Sequence, residues 1–337
     1  MAACWRALSL AEGVEVKVLA YGSSQATAFS SGLMAGIDWH AMSESERNDP
    51  DFLERQIVDF DAEVVVLSGW LNPAYRKLPF RQALQGKRFV MGMDTPWWGN
   101  LKQYLARFAL WSYLSRINKV VVTGERCWQY AIRLGFDQSQ IVRGLYGVDY
   151  ASLSKLYERR CALSEWPKQF LFAGRYSQEK GIDLLLQAYT DYRKQVENPW
   201  PLVCCGKGPL GDLLKGQEGV VDRGFLQPAE LHEEMVRSGC FILPSEFDPW
   251  PLILVEACAA GLPVISTEVC GSSVELVRSH HSGFSVAVND LNLLTLAMLQ
   301  AHRHSRLPQY GEHAMQLASA YSAEVWVERW LGDVFSG

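Results

Sequence analysis

The stretch Cys240-Phe-Ile-Leu-Pro-Ser-Glu-Phe-Asp-Pro-Trp-Pro-Leu-Ile-Leu-Val-Glu-Ala-Cys-Ala-Ala-Gly-Leu-Pro-Val-Ile-Ser266 holds two short apolar runs on either side of a helical segment. The runs Cys240–Pro244 and Pro263–Ser266 have the length and composition of buried strands. The helix between them is predicted to begin near Pro251 and to end before Gly261, because glycine and a following proline terminate helices. A strand, a helix and a second strand of this length predict a parallel crossover and therefore an α/β fold.

The same alternation extends through the chain and predicts two doubly wound domains, at residues 1–150 and 151–322. A polar, charged segment at Tyr150–Lys168 suggests a linker between them. The aromatic-rich helix Ala323–Phe335, in the segment 323–337, is expected to pack back on the first domain. Further predicted strands are Val14–Ala20, Glu63–Leu67, Arg88–Met93, Lys119–Thr123, Gln169–Ala173, Pro201–Cys205, Gly219–Asp222 and Gly283–Val286; predicted helices are Lys102–Arg116, Gly181–Val196, Pro228–Ser238, Leu252–Ala260 and Ser273–Ser279.

The start of the chain departs from this pattern. It is predicted to form a helix followed by a strand, whereas a doubly wound domain usually opens with a strand and a glycine-rich turn. The first domain is therefore expected to lack its first strand. A start methionine internal to a longer reading frame explains this more simply than the loss of a central strand, so truncation is the favoured expectation.

Bulk composition is that of a soluble globular protein. The chain has 337 residues, 48% of them hydrophobic, and a net charge of −5, which argues against a dedicated nucleic-acid binder. It has no apolar run long enough to span a membrane and no signal-peptide pattern. The eight cysteines show no zinc-ligand spacing, so we expect a reducing, cytoplasmic location and no metal.

A cationic loop follows the predicted strand Gln169–Ala173. Gly174 permits a tight turn, and the cations Arg175 and Lys180 follow it five residues apart. A guanidinium fork and a compact ammonium group at the end of a parallel strand suit a diphosphate. On this segment alone, a solvated basic loop is the simpler interpretation.

Two carboxylates, Asp248 and Glu256, stand eight positions apart around the start of the predicted helix. A helix start presents free amides and a positive dipole end to an anion. Two carboxylate oxygens on Glu256 suit the two hydroxyls of a ribose, and Asp248 suits hydroxyls of a transferred sugar. Alternatively, Asp248 caps the helix and Glu256 is an exposed helix acid. The amides able to donate locally, given that prolines have none, are those of Trp250, Leu252 and Ile253.

Taken in order, these segments resemble a known family. Gly-Arg-x4-Lys-Gly at residues 174–181, Gly206-Lys-Gly-Pro, Gly224-Phe-Leu, Pro-Ser-Glu-Phe-Asp-Pro-Trp and Glu256-Ala-Cys-Ala-Ala-Gly-Leu-Pro-Val-Ile follow the order of the retaining GT-B glycosyltransferases of family 4, the glycosyl transferases group 1. The resemblance is strong over residues 168–286 and loose before them. It implies two Rossmann-like domains that face a cleft.

The resemblance also implies roles for the residues that match. Arg175 and Lys180 would neutralise the leaving diphosphate, Asp248 would face the donor sugar, and Glu256 would bind the ribose. The remaining donor-side positions are Gly174, Gly224, Phe225, Trp250, Leu252 and Ile253. The donor is a sugar nucleotide, and neither a metal nor another cofactor is implied.

The chain departs from the family pattern in three places. Asp248 stands where glutamate is more usual, and Pro251 stands where many relatives have glycine, which puts the identity of the sugar in question. Met93 occupies the place of a first-domain histidine, leaving Asp94 and Trp97 as the acceptor-side candidates.

The segment from Trp70 to Arg133 carries eleven cations and two acids, a net +9, interleaved with aromatic residues. Such a mixture suits an anionic membrane surface or a lipid-linked or saccharide acceptor. It is equally consistent with an aromatic core and a solvated basic face. The leading hypothesis is a retaining glycosyltransferase of surface polysaccharide or glycolipid synthesis, cytoplasmic and peripheral at the inner face of the membrane. The alternatives are a non-catalytic sugar-nucleotide-binding or scaffold protein and a related epimerase.

Overall fold

The chain forms two compact units in the computed structural model, which describes residues 1–21 and 31–335. The first unit is Met1–Gly147 together with the segment that begins at Ala323, and the second is Val148–Ser322. Both are built from parallel strands joined by helices, as the alternation of apolar runs and helical segments predicts.

The first unit contains two separate parallel sheets. A two-stranded sheet pairs β1 with β2, and a four-stranded sheet has the order β3-β4-β5-β6. Its strands are β1 (Lys17–Tyr21), β2 (Asp38–Met42), β3 (Val64–Ser68), β4 (Arg88–Met93), β5 (Lys119–Val122) and β6 (Ile141–Arg143); its helices up to Gly147 are α1 (Ala2–Ser9), α2 (Glu44–Asn48), α3 (Pro50–Asp59), α4 (Pro73–Lys77), α5 (Leu101–Ala109), α6 (Trp111–Leu114) and α7 (Glu125–Leu134).

The second unit has one six-stranded parallel sheet in the order β12-β11-β10-β7-β8-β9. Strands β7 and β10 lie side by side at its centre, and the strand order reverses between them. Its strands are β7 (Phe170–Ala173), β8 (Leu202–Cys205), β9 (Val220–Gly224), β10 (Cys240–Leu243), β11 (Val264–Thr267) and β12 (Gly283–Val286); its helices are α8 (Tyr150–Cys161), α9 (Ile182–Arg193), α10 (Pro228–Arg237), α11 (Leu252–Ala259), α12 (Gly271–Leu276), α13 (Leu291–Arg303) and α14 (Leu307–Ala318).

The last helix, α15 (Ala323–Arg329), belongs to the first unit and continues into a π-helical turn, Trp330–Phe335. Trp326 and Trp330 are buried and stack with ring centroids 4.6 Å apart. They share a hydrophobic cluster with Cys4 and Leu8 of α1 and with Val90 of the four-stranded sheet. The aromatic side chains of the C-terminal segment therefore cover one face of that sheet.

The expected linker at Tyr150–Lys168 is wrong, because residues 150–161 form the helix α8. Asp149 caps it by accepting a hydrogen bond from the Ser152 amide, and Leu153 is buried. The charged residues of this segment suggested a linker, but one of them, Arg160, is buried as well. The guanidinium donates to the carbonyls of Met235, Ala260 and Gly261, which satisfy a charge that would otherwise be costly to bury.

Two strands were not predicted, and one predicted helix is divided. Strand β2 reads Asp-Trp-His-Ala-Met, with four of its five residues not buried, and β6 has only three residues, so neither shows a clear apolar run. The helix predicted at Lys102–Arg116 is two helices, α5 and α6, which meet at Leu110. The remaining strand predictions agree with the structure to within three residues at their ends.

Candidate functional site

The second unit brings two of the predicted loops together at the centre of its sheet. Gly174–Gly181 follows β7, and residues 244–251 follow β10, its neighbour in the sheet. The strand order reverses between these strands, and ligands of open parallel sheets bind outside the carboxyl ends of strands at such a point. The amides of Glu246 and Phe247 both donate to the carbonyl of Glu179, which joins the two loops.

The first loop is shaped by its glycines. After Arg175 the chain makes a 3-10 turn, Gln178–Lys180, and Gly181 then takes a left-handed conformation with φ of 65°. A Cβ at Gly181 would lie 2.1 Å from the Pro244 carbonyl oxygen, so only glycine fits at this contact between the loops. Arg175 is exposed and lies 3.7 Å from Glu179, whereas Lys180 is directed toward the second loop.

Lys180 and Asp248 form an ion pair across the two loops. The Lys180 Nζ lies 2.5 Å from an Asp248 carboxylate oxygen, and the Asp248 side chain is only 8% exposed. Burial raises the pKa of Asp248, while Lys180 and the Trp250 amide lower it by stabilising the carboxylate. The Trp250 amide, expected to contact a donor, thus binds Asp248. A buried carboxylate therefore holds the Lys180 ammonium group at the switch point of the sheet, the place where the strand order reverses.

Helix α11 begins at Leu252 beside this pair, and the first amides of a helix have no acceptor within it. Its sequence, Leu-Ile-Leu-Val-Glu-Ala-Cys-Ala, is apolar apart from Glu256. The Glu256 side chain is partly buried, and this burial raises its pKa to about 6. A partly buried acid with a raised pKa on an otherwise apolar helix is a candidate functional group.

A third loop, after β11, contacts the backbone of the Asp248 segment. The backbones of Asp248 and Cys270 form an isolated parallel β-bridge, and the Gly271 amide donates to the Asp248 carbonyl over 3.0 Å. A Cβ at Gly271 would meet the Pro249 carbonyl oxygen at 1.7 Å, so this position also requires glycine. The Cys270 turn therefore fixes the backbone that carries Asp248.

Sequence reasoning missed Tyr176, which supports the cationic loop. Its backbone exchanges hydrogen bonds with Lys207 and Leu210, and its hydroxyl donates to Asp222 over 2.7 Å. Burial raises the pKa of this hydroxyl, so it remains a donor. Nothing in the sequence around this tyrosine sets it apart. The Gly206-Lys-Gly motif, which follows the neighbouring strand β8, does indicate that two loops pack closely here. A Cβ at Gly206 would lie 1.9 Å from the Gly174 carbonyl oxygen.

Two of the expected donor-side residues, Gly224 and Phe225, lie at the carboxyl end of the edge strand β9. Gly224 has φ of 66°, its amide donates to Asp222, and its carbonyl accepts from Gly206. These contacts connect it to the cationic loop through Tyr176. The structure thus places Gly224 next to the loop that carries Arg175 and Lys180.

The acceptor-side candidates lie in the first unit. Asp94 follows β4 and accepts a hydrogen bond from the Tyr146 hydroxyl over 3.0 Å. Trp97 packs against Tyr104 and Tyr130, and the Arg133 guanidinium stacks 4.7 Å from its ring. Asp94 is therefore hydrogen-bonded to a tyrosine hydroxyl, while Trp97 packs within an aromatic cluster.

Over residues 1–21 and 31–335, no group of three histidine, cysteine or acidic residues has the arrangement of a metal site. In the same residues, the helices are all too short or too polar to cross a bilayer.

Comparison with known proteins extends the resemblance. The chain superposes over its whole length on the structure of HepE from Anabaena in complex with UDP and glucose, with a TM-score of 0.71 at 15% identity, covering 96% of that chain. It is 30% identical over 172 residues to an exopolysaccharide phosphotransferase of Streptomyces coelicolor, a match that covers 48% of this chain and 18% of that protein. It is 25% identical over 258 residues to the amylovoran biosynthesis glycosyltransferase AmsK of Erwinia amylovora, covering 72% of this chain and 61% of that protein.

The chain therefore has the GT-B fold of glycosyltransferases. The model of the glycosyl transferases group 1 family matches residues 157–310, which lie in the second unit. The resemblance to GT-B glycosyltransferases of group 1, drawn from the sequence motifs, is confirmed. The chain spans less than two thirds of the length of either curated relative.

Proposed function

We propose that this protein is a retaining glycosyltransferase of the hexosyltransferase type. It transfers a sugar from a nucleotide-diphosphate donor to a saccharide or lipid-linked acceptor in the synthesis of cell-surface polysaccharide or glycolipid. The observation that carries this proposal is the Lys180–Asp248 pair at the switch point, beside the start of the helix that carries Glu256. Relatives named as an exopolysaccharide phosphotransferase and as glycosyltransferases of teichuronic acid and amylovoran biosynthesis support the acceptor class.

In this proposal the bond between the anomeric carbon and the diphosphate oxygen breaks, and the leaving group acquires negative charge. Lys180 and Arg175 stabilise that charge as it develops, which is the role of preorganised cations in transfer reactions. The acceptor oxygen bonds to the anomeric carbon on the face that the diphosphate leaves, and its proton passes to the departing phosphate oxygen. Configuration is retained without a nucleophile from the protein.

Asp248 has two functions in this mechanism. It holds the Lys180 ammonium group in place through a direct ion pair, and it presents carboxylate oxygens to hydroxyls of the donor sugar. Glu256 accepts hydrogen bonds from the ribose. The first amides of α11, at Leu252 and Ile253, face the negative end of the donor, where the helix dipole adds to the cations. The mechanism uses these groups in place of a metal.

The test is an assay of the full chain with a panel of sugar nucleotides, measuring release of the nucleoside diphosphate with and without saccharide acceptors. We expect turnover with one donor and retention of anomeric configuration in the product, read by NMR. A second candidate, a sugar-nucleotide-binding protein without activity, is favoured by Met93 in place of the first-domain histidine and by the divided sheet of the first unit. Binding of a nucleotide without turnover of any donor would support that alternative.

We further propose that the acceptor side contacts an anionic membrane, at its inner face, through α5. This helix exposes a continuous apolar stripe that extends to the start of α6, and Lys102 and Arg107 flank it. An exposed apolar helix face with cations beside it is the pattern of helices that lie in a membrane interface. The stripe consists of Leu101, Tyr104, Leu105, Phe108 and Trp111, each more than half exposed.

The double substitution of Phe108 and Trp111 by serine is expected to reduce flotation with vesicles containing phosphatidylserine by about tenfold, because two large side chains lose their apolar contact with the bilayer. The control is Leu163→Ser, which removes an exposed leucine in the second unit. Flotation that is equal for wild type and double variant would remove the membrane from the proposal, and flotation that is equal with neutral vesicles would remove the requirement for anionic lipid.

A further inference from the structure

A groove of about 290 Å³ lies in the second unit, at the amino end of strand β12. Its apolar floor consists of Phe284, from β12, and of Leu296 and Leu299, from α13. The candidate active site lies beyond the carboxyl ends of β7 and β10, so the groove is at the opposite end of the strands of the same parallel sheet. It is therefore a separate site that the proposed mechanism does not use.

The rim of the groove is cationic. His280 precedes β12, and Arg303 and His304 stand at the carboxyl end of α13. Within residues 148–322, all of which the structure describes, no acid lines the groove, and the remaining lining residue, Gln300, is neutral. In the described ranges 1–21 and 31–335, no acid forms an ion pair with Arg303. The charge of the rim is thus not compensated by the protein.

The dipole of α13 does not account for all of these cations. A cation in the last turn of a helix, such as Arg303, does stabilise the negative end of the helix. Arg306, however, stands at the start of α14, where the dipole disfavours a cation, and His280 belongs to neither helix. Burial lowers the pKa of His304, and the charges of Arg306 and His280 lower it further. The potential at the groove therefore favours a bound anion.

His280 has an unusual backbone conformation. Its φ of 60° is left-handed, which few residues other than glycine adopt, and its amide donates to the Gly283 carbonyl over 3.0 Å. In this turn the His280 ring meets the Phe284 ring edge-on, at 87°, with centroids 5.9 Å apart. Backbone strain of this kind is concentrated at functional sites. The turn holds an imidazole group beside the apolar floor.

A neighbouring amide determines which nitrogen of His304 carries the proton. The Arg306 amide donates to the His304 Nδ1 over 3.1 Å, so the proton of the neutral ring is on Nε2. His304 can therefore donate a hydrogen bond through its Nε2–H. Arg303 adds a planar guanidinium fork, which suits a carboxylate. Both polar groups of the α13 terminus are donors that an anion would accept from.

We propose that this groove binds a small aromatic carboxylate, with its ring on the apolar floor and its carboxylate on Arg303 and His304. An apolar cavity of about 150 Å³ is large enough for benzene, so a groove of about 290 Å³ holds a ring with a short acidic substituent. The Phe284 ring and the imidazole beside it favour an aromatic occupant through edge-to-face contacts. An apolar floor with a few placed polar groups is the usual composition of a small-molecule site.

The experiment is an NMR titration of the full chain with phenylacetate, following histidine ring protons that are assigned by substitution. We expect the signals of His280 and His304 to shift with saturation, and the signal of His232, on α10, to remain unchanged. Phenylacetamide has the same shape without the charge and should bind about tenfold more weakly or worse, because hydrogen bonds to a charged group are the stronger ones. Acetate, which lacks the ring, should not saturate the site.

Two matched pairs of variants locate the ligand. Leu296→Trp should fill the groove and abolish saturation by phenylacetate, whereas Leu293→Trp, on the same helix outside the lining, should not. The two leucines are 47% and 41% exposed, so each variant replaces a half-exposed side chain and keeps the fold. Arg303→Gln should weaken binding by about tenfold. Arg306→Gln, which lies outside the lining and keeps the amide that bonds to His304, should change binding less.

Equal binding of phenylacetate and phenylacetamide would show an apolar groove that does not recognise an anion, and would overturn the proposal. Equal binding by Leu296→Trp and Leu293→Trp would do the same, because the ligand would then lie elsewhere. A titration without saturable shifts at His280 and His304 would also contradict it. No step of the experiment requires glycosyl transfer, so its outcome is independent of the proposed function.

Discussion

Replacing Lys180 by alanine is expected to lower turnover by about 10²–10³-fold, the typical cost of removing one preorganised group that stabilises developing charge. Nucleotide binding should weaken less, because Arg175 and the start of α11 remain. Turnover is measured as release of nucleoside diphosphate from the donor that the panel identifies, and binding is measured by calorimetry with UDP and GDP as probes.

The ion pair makes this variant more informative than a surface substitution. Lys180→Ala leaves Asp248 as a buried carboxylate without its cation, so some loss of stability is expected as well. Lys180→Met keeps most of the apolar stem and should match the alanine variant in turnover, which separates charge from packing. Lys194→Ala removes an exposed lysine of the same unit, paired with Asp191, and should leave turnover unchanged. Near-normal turnover in a folded Lys180→Ala protein would show that Lys180 does not stabilise the leaving diphosphate, and would contradict the proposed active site.

Glu256→Gln is expected to weaken donor binding and to stabilise the fold. A hydrogen bond to a charged group contributes about 1.5–3 kcal/mol, so affinity should fall about 10- to 100-fold. Binding by the wild type should also weaken as the pH falls through about 6, where Glu256 takes up a proton, and the glutamine variant should not show this change. Comparing the two proteins at each pH cancels the titration of the ligand phosphates.

The stability effect follows from the same raised pKa. Because the folded protein binds the Glu256 proton more tightly than the unfolded chain, the stability that this proton contributes is present at low pH and is lost as the pH rises through about 6. A rise from 4.5 to about 6 corresponds to about 2 kcal/mol at neutral pH. The free energy of unfolding of Glu256→Gln should therefore exceed that of the wild type by up to this amount at pH 8.

The difference should narrow as the pH falls toward 4.5, and chemical denaturation at a series of pH values measures it. Glu268→Gln, an exposed acid of the same unit, is the control and should show no such pattern. A Glu256→Gln protein that is both less stable and unchanged in donor binding would show that the carboxylate has a structural role.

Most strands and the loops of the second unit were predictable from local sequence. β4 and β12 were predicted with their observed bounds, because each is an apolar run with clear ends. The Arg175–Lys180 loop and the Asp248 loop were placed after strands for the same reason. Their pairing was not predictable, because Lys180 and Asp248 are 68 residues apart and only the adjacency of β7 and β10 brings them together.

Errors occurred where charge or brevity concealed a buried element. Arg160 made α8 resemble a linker, although three backbone carbonyls satisfy its guanidinium. Strand β6 was too short to be recognised, and it is held by β5 beside it. Tyr176 had no local signal because its partners, Lys207 and Asp222, lie on other strands and loops.

The amino-acid sequence by itself determined the α/β class, the order of motifs that resembles the glycosyl transferases group 1, and the residue types available for chemistry. Those properties depend on neighbours along the chain, where periodicity and turn residues act directly. Only the tertiary structure decided that Asp248 holds Lys180, that burial gives Glu256 its raised pKa, and that β1 and β2 form a sheet apart from β3 to β6. Each of these depends on burial and strand adjacency between distant segments, which local sequence patterns do not specify.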